Sequence, residues 1–259
     1  MTMRRLLVLG ALLAAAPLPA QSLASRIANA GDGAVTFEFA ARDAVCGDGA
    51  SFVQIGRSSY IGDFGDAMRG RCVRGPVQVR VERQGGEVTR VRWWAGVSRP
   101  RPEARDLGVV PAREAADFLL ALAARGNAGV AEDAITPAVL ADSVVVWPTL
   151  LAIARDRETR RRSARRQASH WLARFAQAKL LGRPEDLSVG PEESEDADLK
   201  RHAVFVMSQL PRDEGIPSLL QVARTSRDLA VRSHALFWLG QSDDERALAL
   251  LEEVLKGRG

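Results

Sequence analysis

The chain has little of the chemistry on which most metal and thiol sites depend. It holds two cysteines, three histidines and one tyrosine in 259 residues. This supply excludes a disulfide-packed scaffold and a cysteine-rich metal cluster. Lysine is equally scarce, since only Lys179, Lys200 and Lys256 occur, and 33 of the 36 basic residues are therefore arginines. The remaining composition, 46% hydrophobic and 26% charged, is that of a globular protein and excludes a disordered or collagen-like chain.

Long apolar runs are also missing, except at the start of the chain. Arg4 and Arg5 precede the apolar run Leu6–Leu18, and Ala20 follows as a small residue before Gln21. This layout predicts a secretory signal peptide over residues 1–20. The run is shorter than the roughly 20 residues of a membrane-spanning helix, although an uncleaved N-terminal anchor is the alternative. We therefore expect an exported protein, periplasmic or secreted, that is not transmembrane once the signal is removed.

Export decides how the two cysteines are interpreted. In an oxidising compartment, a lone pair of cysteines is expected to form a disulfide, here between Cys46 and Cys72. Reactive thiols are the alternative, but no CxxC motif supports it. Between the two cysteines, Gly and Asp cluster at positions such as Asp48, Asp63 and Asp66, which predicts an irregular turn-rich loop and fits no EF-hand calcium site.

Residues 26–97 show the period-two alternation of strands. Val35, Phe37 and Phe39 alternate with smaller or polar residues, and a second alternating segment begins at Val77. The Gly85-Gly86 pair predicts a hairpin after it. We predict a three-residue loop over residues 84–86, because that register places Arg83 opposite Glu87, Val79 opposite Val91 and Val77 opposite Trp93. A two-residue loop would instead place Val81 opposite Arg90 and mix the two faces.

Helical periodicity replaces this pattern in the second half of the chain. The segment Arg99–Pro102 breaks regular structure and is predicted as a linker, and the helical pattern begins near Pro111. The predicted fold class is α+β. It comprises the signal over residues 1–20, a β-rich module with one disulfide over residues 21–107, and an α-solenoid of helix pairs over residues 108–259.

Three segments of the helical half can be superimposed on one another. Each has a basic residue three positions before a small alanine, and each continues with two apolar residues and a small one: Arg165–Ala173, Lys200–Ser208 and Arg232–Gly240. A second apolar element recurs at Pro148, Pro217 and Ala249. One amphipathic helix pair cannot bury its apolar side alone, so the repetition predicts pairs that stack along a line. Trp171, Trp238, Phe205 and Phe237 are then expected to lie mostly in the core.

These segments resemble the short HEAT repeats of bacterial helical-repeat proteins over about residues 145–256. The residues that carry the resemblance are Ala203, Val206, Met207, Leu219 and Val222 in one unit, and Arg232, Ala235, Trp238, Leu239, Gly240, Leu251 and Val254 in the next. The unit at Arg165 departs from the pattern, because the segment Leu181-Gly182-Arg183-Pro184 and an acidic stretch replace its second helix. The resemblance implies an α-solenoid that binds other proteins or acts as a scaffold, and it names no partner.

An arginine cluster is the most conspicuous charged feature. The candidate interaction residues are Arg155, Arg161, Arg162, Arg165 and Arg166 in this cluster, and Gln221 and Arg224 on a repeat helix. A helix over about residues 159–175 would bury Trp171 and point Arg162 and Arg166 away, with Arg165 at the edge of the buried stripe. The cluster is either an anion site, for an acidic protein or an envelope phosphate, or a solvated face neutralised by the acidic run at residues 192–198.

The sequence contains no recognisable catalytic or cofactor motif. His170, His202 and His234 are evenly spaced, but they do not occupy equivalent repeat positions, so no metal, cofactor or catalytic residue is predicted. Nucleic acid is not an expected partner. The predicted function is non-catalytic protein binding or scaffolding in the cell envelope. The alternatives are an enzyme with its site between the β-rich module and the first helices, and an anionic-envelope binder that uses the Arg155–Arg166 cluster.

Overall fold

The computed structural model describes residues 21–56, 59–62, 72–157, 161–182, 187 and 195–257. The strands are β1 Gly33–Phe39, β2 Val45–Gly47, β3 Phe52–Ile55, β4 Ser59–Gly62, β5 Val73–Arg74, β6 Val77–Gln84, β7 Glu87–Ala95 and β8 Arg105–Val109. The helices are α1 Leu23–Asn29, α2 Ala112–Arg125, α3 Ala128–Val139, α4 Trp147–Arg155, α5 Arg162–Leu180, α6 Glu195–Gln209, α7 Arg212–Thr225, α8 Leu229–Gly240 and α9 Glu245–Lys256. The signal predicted over residues 1–20 lies outside the described residues.

The first sheet has the strand order β7-β6-β1-β8, with β8 parallel to β1 and the other pairs antiparallel. The alternation predicted for β1 and β6 is confirmed, because Val35, Phe37 and Phe39 are buried on the same face as Val79. Helix α2 covers this face, and Phe118 meets Phe37 edge-to-face at a centroid distance of 6.0 Å. The β-rich part is therefore held to the first long helix by a shared apolar layer.

The hairpin register predicted from the sequence is wrong. Gln84 pairs with Glu87, so the loop has two residues, Gly85 and Gly86, and both have positive φ. An irregularity between Glu82 and Arg83 then shifts the pairing by one residue, so that Val81 lies opposite Val91. Two glycines with left-handed backbones suit a tight two-residue turn, and the bulge returns the apolar residues to one face.

The second sheet has the order β4-β3-β2-β5 and contains the predicted disulfide. Cys46 lies on β2 and is bonded to Cys72, with 5.1 Å between their Cα atoms. The segment between the cysteines is more regular than the loop expected from its Gly and Asp content, since β3 and β4 form there. Asp48 explains part of this order, because its carboxylate accepts hydrogen bonds from three following backbone N–H groups. Asp63 and Asp66 lie outside the described residues.

The two halves of the chain share one core. Arg42, only 7% exposed, donates from Nε to the Val139 carbonyl at 2.8 Å and from a terminal nitrogen to the Val144 carbonyl at 2.7 Å. Its guanidinium also lies 5.7 Å from the ring centre of Phe175 on α5. A buried arginine that satisfies the carbonyls at a helix end couples the β-rich part firmly to the helices. The buried cluster accordingly runs without a break from Leu23 to Leu255.

The segment predicted as a linker is packed against both sheets, near Asp48 after β2 and against Trp94 on β7. Arg99 donates to the Asp48 carbonyl, and the Arg101 guanidinium lies 3.7 Å from the ring centre of Trp94. The chain then continues into β8, which pairs with β1. The cation–π contact between the Arg101 guanidinium and the Trp94 indole stabilises the position of this segment.

The repeat pattern predicts helix pairs that stack in chain order. In the structure the pairs stack in a different order. Helix α8 packs against α5 on one side and against α6 and α7 on the other, while α9 packs against α4 and α5. The order in space is therefore α4/α5, α8/α9, α6/α7, and the last pair of the chain lies in the middle. The unit that starts at Arg165 was predicted to depart from the repeat pattern. After this unit, the order of the pairs in space differs from their order in the chain.

A glycine explains how the last pair reaches α5. At Gly240 on α8, an added Cβ would overlap the Cβ of Ala173 on α5 and lie 3.0 Å from the Ser169 carbonyl oxygen. The two helices therefore approach at a point where neither carries a larger side chain. Gln177 on α5 reinforces the contact by donating to the Ser233 carbonyl at 2.8 Å.

Candidate functional site

The predicted arginine cluster is divided by the fold into engaged and free residues. Arg155 at the end of α4 forms ion pairs with Glu245 at 2.8 Å and Glu252 at 2.9 Å, both on α9. Arg165 is buried and pairs with Asp243 at 2.9 Å, in the turn between α8 and α9. These two arginines hold the middle helix pair in place, which the sequence could not indicate because their partners are 78 to 97 residues away.

Arg161 also has structural partners. It forms an ion pair with Asp156 at 3.2 Å and donates to the Ala124 carbonyl at the end of α2. It therefore ties the start of α5 to an earlier helix. The side chains of the acidic run at residues 192–198, the expected neutralising partner, lie outside the described residues. Among the described side chains, Asp156, Asp243, Glu245 and Glu252 pair with arginines of the cluster.

Arg162 and Arg166 remain on the solvent side of α5. Both are exposed, as their helical position predicted, and neither has an ion-pair partner among the described side chains. They are one turn apart, so their guanidinium groups lie on the same face of the helix. This pair is the part of the predicted cluster that is open to an external anion.

A cleft adjoins Arg166. It has a volume of about 570 Å³ and lies between the outer face of α5 and the second sheet. Its lining residues are Ile55, Ile61, Glu132, Ser163, Arg166, Gln167, His170, Trp171, Arg174 and Gln241. Two arginines and one carboxylate line it together with apolar side chains, so it suits a group that is partly apolar and carries a negative charge.

His170 is one of the residues that line this cleft, and burial favours its neutral form. Burial, with a smaller contribution from the Arg174 charge, lowers the pKa of His170 to about 4. Gln241, just after α8, lies 3.0 Å from its Nδ1 atom. Burial also lowers the pKa of Arg174, which donates to the Leu187 carbonyl at 3.0 Å. The cleft therefore offers a neutral imidazole beside a fixed cation.

The three histidines do not come together. His170 contacts Gln241, His234 Nε2 accepts a hydrogen bond from the Trp238 indole at 3.1 Å, and His202 is exposed on α6. Within the described ranges, no group of three or more His, Cys, Asp and Glu side chains is placed to hold a metal ion. The even spacing in the sequence therefore does not bring the three side chains to one place.

The remaining interaction candidates lie on α7. Gln221 and Arg224 are exposed on the same side of this helix, and Arg224 forms a long ion pair with Glu253 at 3.4 Å. Helix α7 begins five residues before Pro217, at Arg212, so the proline lies inside the helix. These side chains are far from the α5 arginines in chain position and pack on a different helix pair.

The aromatic residues of the repeats differ from one another in burial. Trp171 is buried, as predicted, while Trp238 and Phe237 are half-buried. The prediction for Phe205 is wrong, because 39% of it is exposed. Phe205 lies on α6 and approaches Trp238 on α8, with 5.4 Å between the ring centres.

None of the helices in the described part of the chain combines the length and apolar character needed to cross a membrane. In a comparison with known protein families, residues 190–258 match the family model of HEAT repeats. Neither a curated protein nor a solved structure matches the chain. The matched region covers α6 to α9, the two helix pairs in which the repeat is most regular. The similarity supports a HEAT-repeat protein.

Proposed function

We propose that the chain is a non-catalytic protein-binding or scaffolding protein of the cell envelope, exported by the N-terminal segment and periplasmic or secreted. The match to HEAT repeats supports a role in protein interactions, since stacked helix pairs present extended binding surfaces. The Cys46–Cys72 disulfide supports an oxidising compartment. The shared core supports a rigid scaffold in which the β-rich part and the helices act as one body.

One observation carries the choice of binding site. Arg162 and Arg166 are exposed on α5 beside the cleft, whereas Arg155 and Arg165 are occupied by acidic groups of the chain itself. The free pair therefore lies next to a concave, partly apolar surface. An acidic segment of a partner protein, with an apolar side chain next to its carboxylate, fits both features.

The test is affinity capture from envelope extract with the mature chain, residues 21–259, compared with the Arg162→Glu/Arg166→Glu variant. We expect a specific partner that the variant loses and that higher salt weakens, because exposed charge pairs are screened. The matched control is Arg113→Glu/Arg125→Glu, which makes the same charge change at two exposed arginines of α2. The control should retain the partner.

The same variants distinguish a protein partner from an anionic surface. Cosedimentation with vesicles that contain anionic lipid should show no difference between the mature chain and the Arg162→Glu/Arg166→Glu variant. Binding to such vesicles, lost in the variant and without any captured protein, would favour the anionic-envelope alternative. Capture that is unchanged in the variant would refute the α5 site.

A further inference from the structure

A second cavity lies on the outer face of the first sheet and shares no lining residue with the cleft beside Arg166. Residues 98–104, between β7 and β8, cross this face and supply one wall of the cavity; we call them the crossing segment. The cavity has a volume of about 390 Å³, and all of its lining residues belong to the described part of the chain. This volume is at the small end of the range of small-molecule sites.

The floor of this cavity follows from the alternation of side chains along β1. Because Phe37 points to the core, Thr36 and Glu38 lie on the opposite face of the sheet. Glu38 pairs with Gln78 on β6, and Thr36 pairs with Asp106 on β8, so four polar side chains lie side by side on this face. Two of the four are carboxylates, and the floor is therefore rich in hydrogen-bond acceptors.

Several of these acceptors have no hydrogen-bond partner among the described residues. The amide nitrogen of Gln78 donates to the Arg99 carbonyl at 2.8 Å, while its amide oxygen is buried and unpartnered. One oxygen of Glu38 accepts from the Ser98 hydroxyl at 2.6 Å, and Asp106 accepts from its neighbours with one oxygen only. Buried polar atoms are nearly always satisfied, so this set calls for an external donor. A primary ammonium group, with three N–H donors and no acceptor, matches it.

Arg101 on the crossing segment supplies the opposite polarity. Its Nε atom is buried and has no hydrogen-bond partner, although a terminal nitrogen donates to the Gly49 carbonyl at 3.1 Å. The contact with Trp94 holds the guanidinium in place. Carboxylates are the acceptors that guanidinium groups bind most strongly. Since Arg99 also lines the cavity, two cations balance the two carboxylates, and a ligand with one charge of each sign is favoured over a net cation or anion.

We propose that this cavity binds a free amino acid, whose ammonium group lies against Gln78 and the two carboxylates and whose carboxylate lies against Arg101. Each contact uses a group of the wall that has spare hydrogen-bonding capacity. Pro100 and Pro102 also line the cavity, which favours a small apolar side chain on the ligand. The inference goes beyond the proposed partner binding and uses none of the residues that line the cleft beside α5.

The test is isothermal titration calorimetry of the mature chain, residues 21–259, with glycine, L-alanine, L-valine and L-proline as separate probes. We expect at least one of them to bind with a dissociation constant below about 1 mM. Acetylation of its amino group or amidation of its carboxylate should each weaken binding at least tenfold, because each change removes one charge.

Variants of the wall give the second measurement. Glu38→Gln and Asp106→Asn keep the shape of the side chains and remove the charge, so each should weaken binding at least tenfold. Glu87→Gln is the matched control, since Glu87 is an exposed carboxylate at the start of β7 that does not line the cavity, and it should leave binding unchanged. Should a variant fail to fold, the derivatives of the amino acid still test the site in the parent chain.

The Arg162→Glu/Arg166→Glu variant separates this site from the cleft beside α5. The amino acid that binds should raise the midpoint of thermal unfolding of this variant as much as that of the parent, and it should not raise that of Glu38→Gln/Asp106→Asn. No binding of any probe at about 10 mM would overturn the inference and leave the cavity to water. Equal binding of the acetylated or amidated derivative, or binding unchanged in both carboxylate variants, would also overturn it.

Discussion

Arg165 on α5 and Asp243 in the α8–α9 turn form a largely buried ion pair with 2.9 Å between their side-chain atoms. The pair connects residues 78 positions apart and holds the last helix pair against α5. Asp243 has a positive φ of 51°, a backbone conformation that Asp and Asn tolerate better than most residues. The charge of Asp243 and its backbone conformation thus both stabilise the contact between the last helix pair and α5.

Replacing Asp243 by Asn tests this pair. The substitution keeps the backbone preference and removes the charge, which leaves the Arg165 guanidinium buried without its counter-ion. We expect a loss of about 1–3 kcal/mol in the free energy of unfolding, measured by urea denaturation. In a double-mutant cycle with Arg165→Met, the double variant should lose less than the sum of the single variants. Additive losses would show that the two side chains do not interact.

The close approach of α8 to α5 at Gly240 predicts that a larger side chain at this position destabilises the protein. Gly240→Val should destabilise the protein by about 1–3 kcal/mol, because its side chain would overlap Ala173 on α5. Gly129 on α3 is the control, because the nearest atom to an added Cβ there is 3.8 Å away. Gly129→Ala should instead be neutral or stabilising by up to about 1 kcal/mol. Equal tolerance at both positions in thermal unfolding would contradict the packing.

His170 predicts a pH dependence of stability. Its pKa is lowered from 6.5 to about 4 in the folded protein, chiefly by burial, so the unfolded chain binds the proton more readily. The neutral imidazole therefore contributes full stability above pH 6.5, and this contribution is lost as the pH falls toward 4. The loss should reach at most about 3 kcal/mol.

The measurement for His170 is the midpoint of urea unfolding between pH 7.5 and 4. His170→Gln should flatten this profile, and the two proteins should approach one another in stability at the acidic end. Burial also lowers the pKa of His234, so some slope of the same sign should remain in the variant. A variant profile parallel to the parent would show that His170 titrates normally.

The disulfide should contribute to stability as a constraint on the unfolded chain. Cys46 and Cys72 are separated by 26 positions, a loop for which chain-entropy arguments give about 3 kcal/mol. The Cys46→Ala/Cys72→Ala variant should lose roughly this amount, and added reductant should lower the stability of the parent but leave the variant unchanged. Non-reducing mass spectrometry of the purified protein should find no free thiol.

Local patterns predicted the elements well, because the residues that decide them are neighbours in the chain. Val35, Phe37 and Phe39 alternate on β1, and the two cysteines are joined as expected. The hairpin register was predicted wrongly. Pairing arguments favoured a three-residue loop, whereas the structure combines a two-residue Gly-Gly turn with a bulge that keeps the apolar residues on one face. Single-residue bulges leave no clear sequence signal, and they change the register of everything before them.

The candidate site could be predicted only in part. Helical periodicity placed Arg162 and Arg166 on the outside of α5. The cleft beside them could not be foreseen, because Ile61 on β4 and Gln241 after α8 come from distant parts of the chain. The partners of Arg155 and Arg165 were likewise hidden, since an acidic run nearby in sequence looked like the natural counterpart.

Residues that are neighbours in the chain specify the building blocks of this protein: a β-rich first half with one disulfide, and helix pairs that resemble HEAT repeats. Each of these follows from periodicity and spacing, which are properties of neighbouring residues. The position of the last helix pair between its predecessors follows instead from contacts between distant parts of the chain. Similar helix pairs can stack in more than one order, and the choice depends on the Gly240–Ala173 approach and the Arg155 and Arg165 ion pairs, contacts that exist only once distant segments meet.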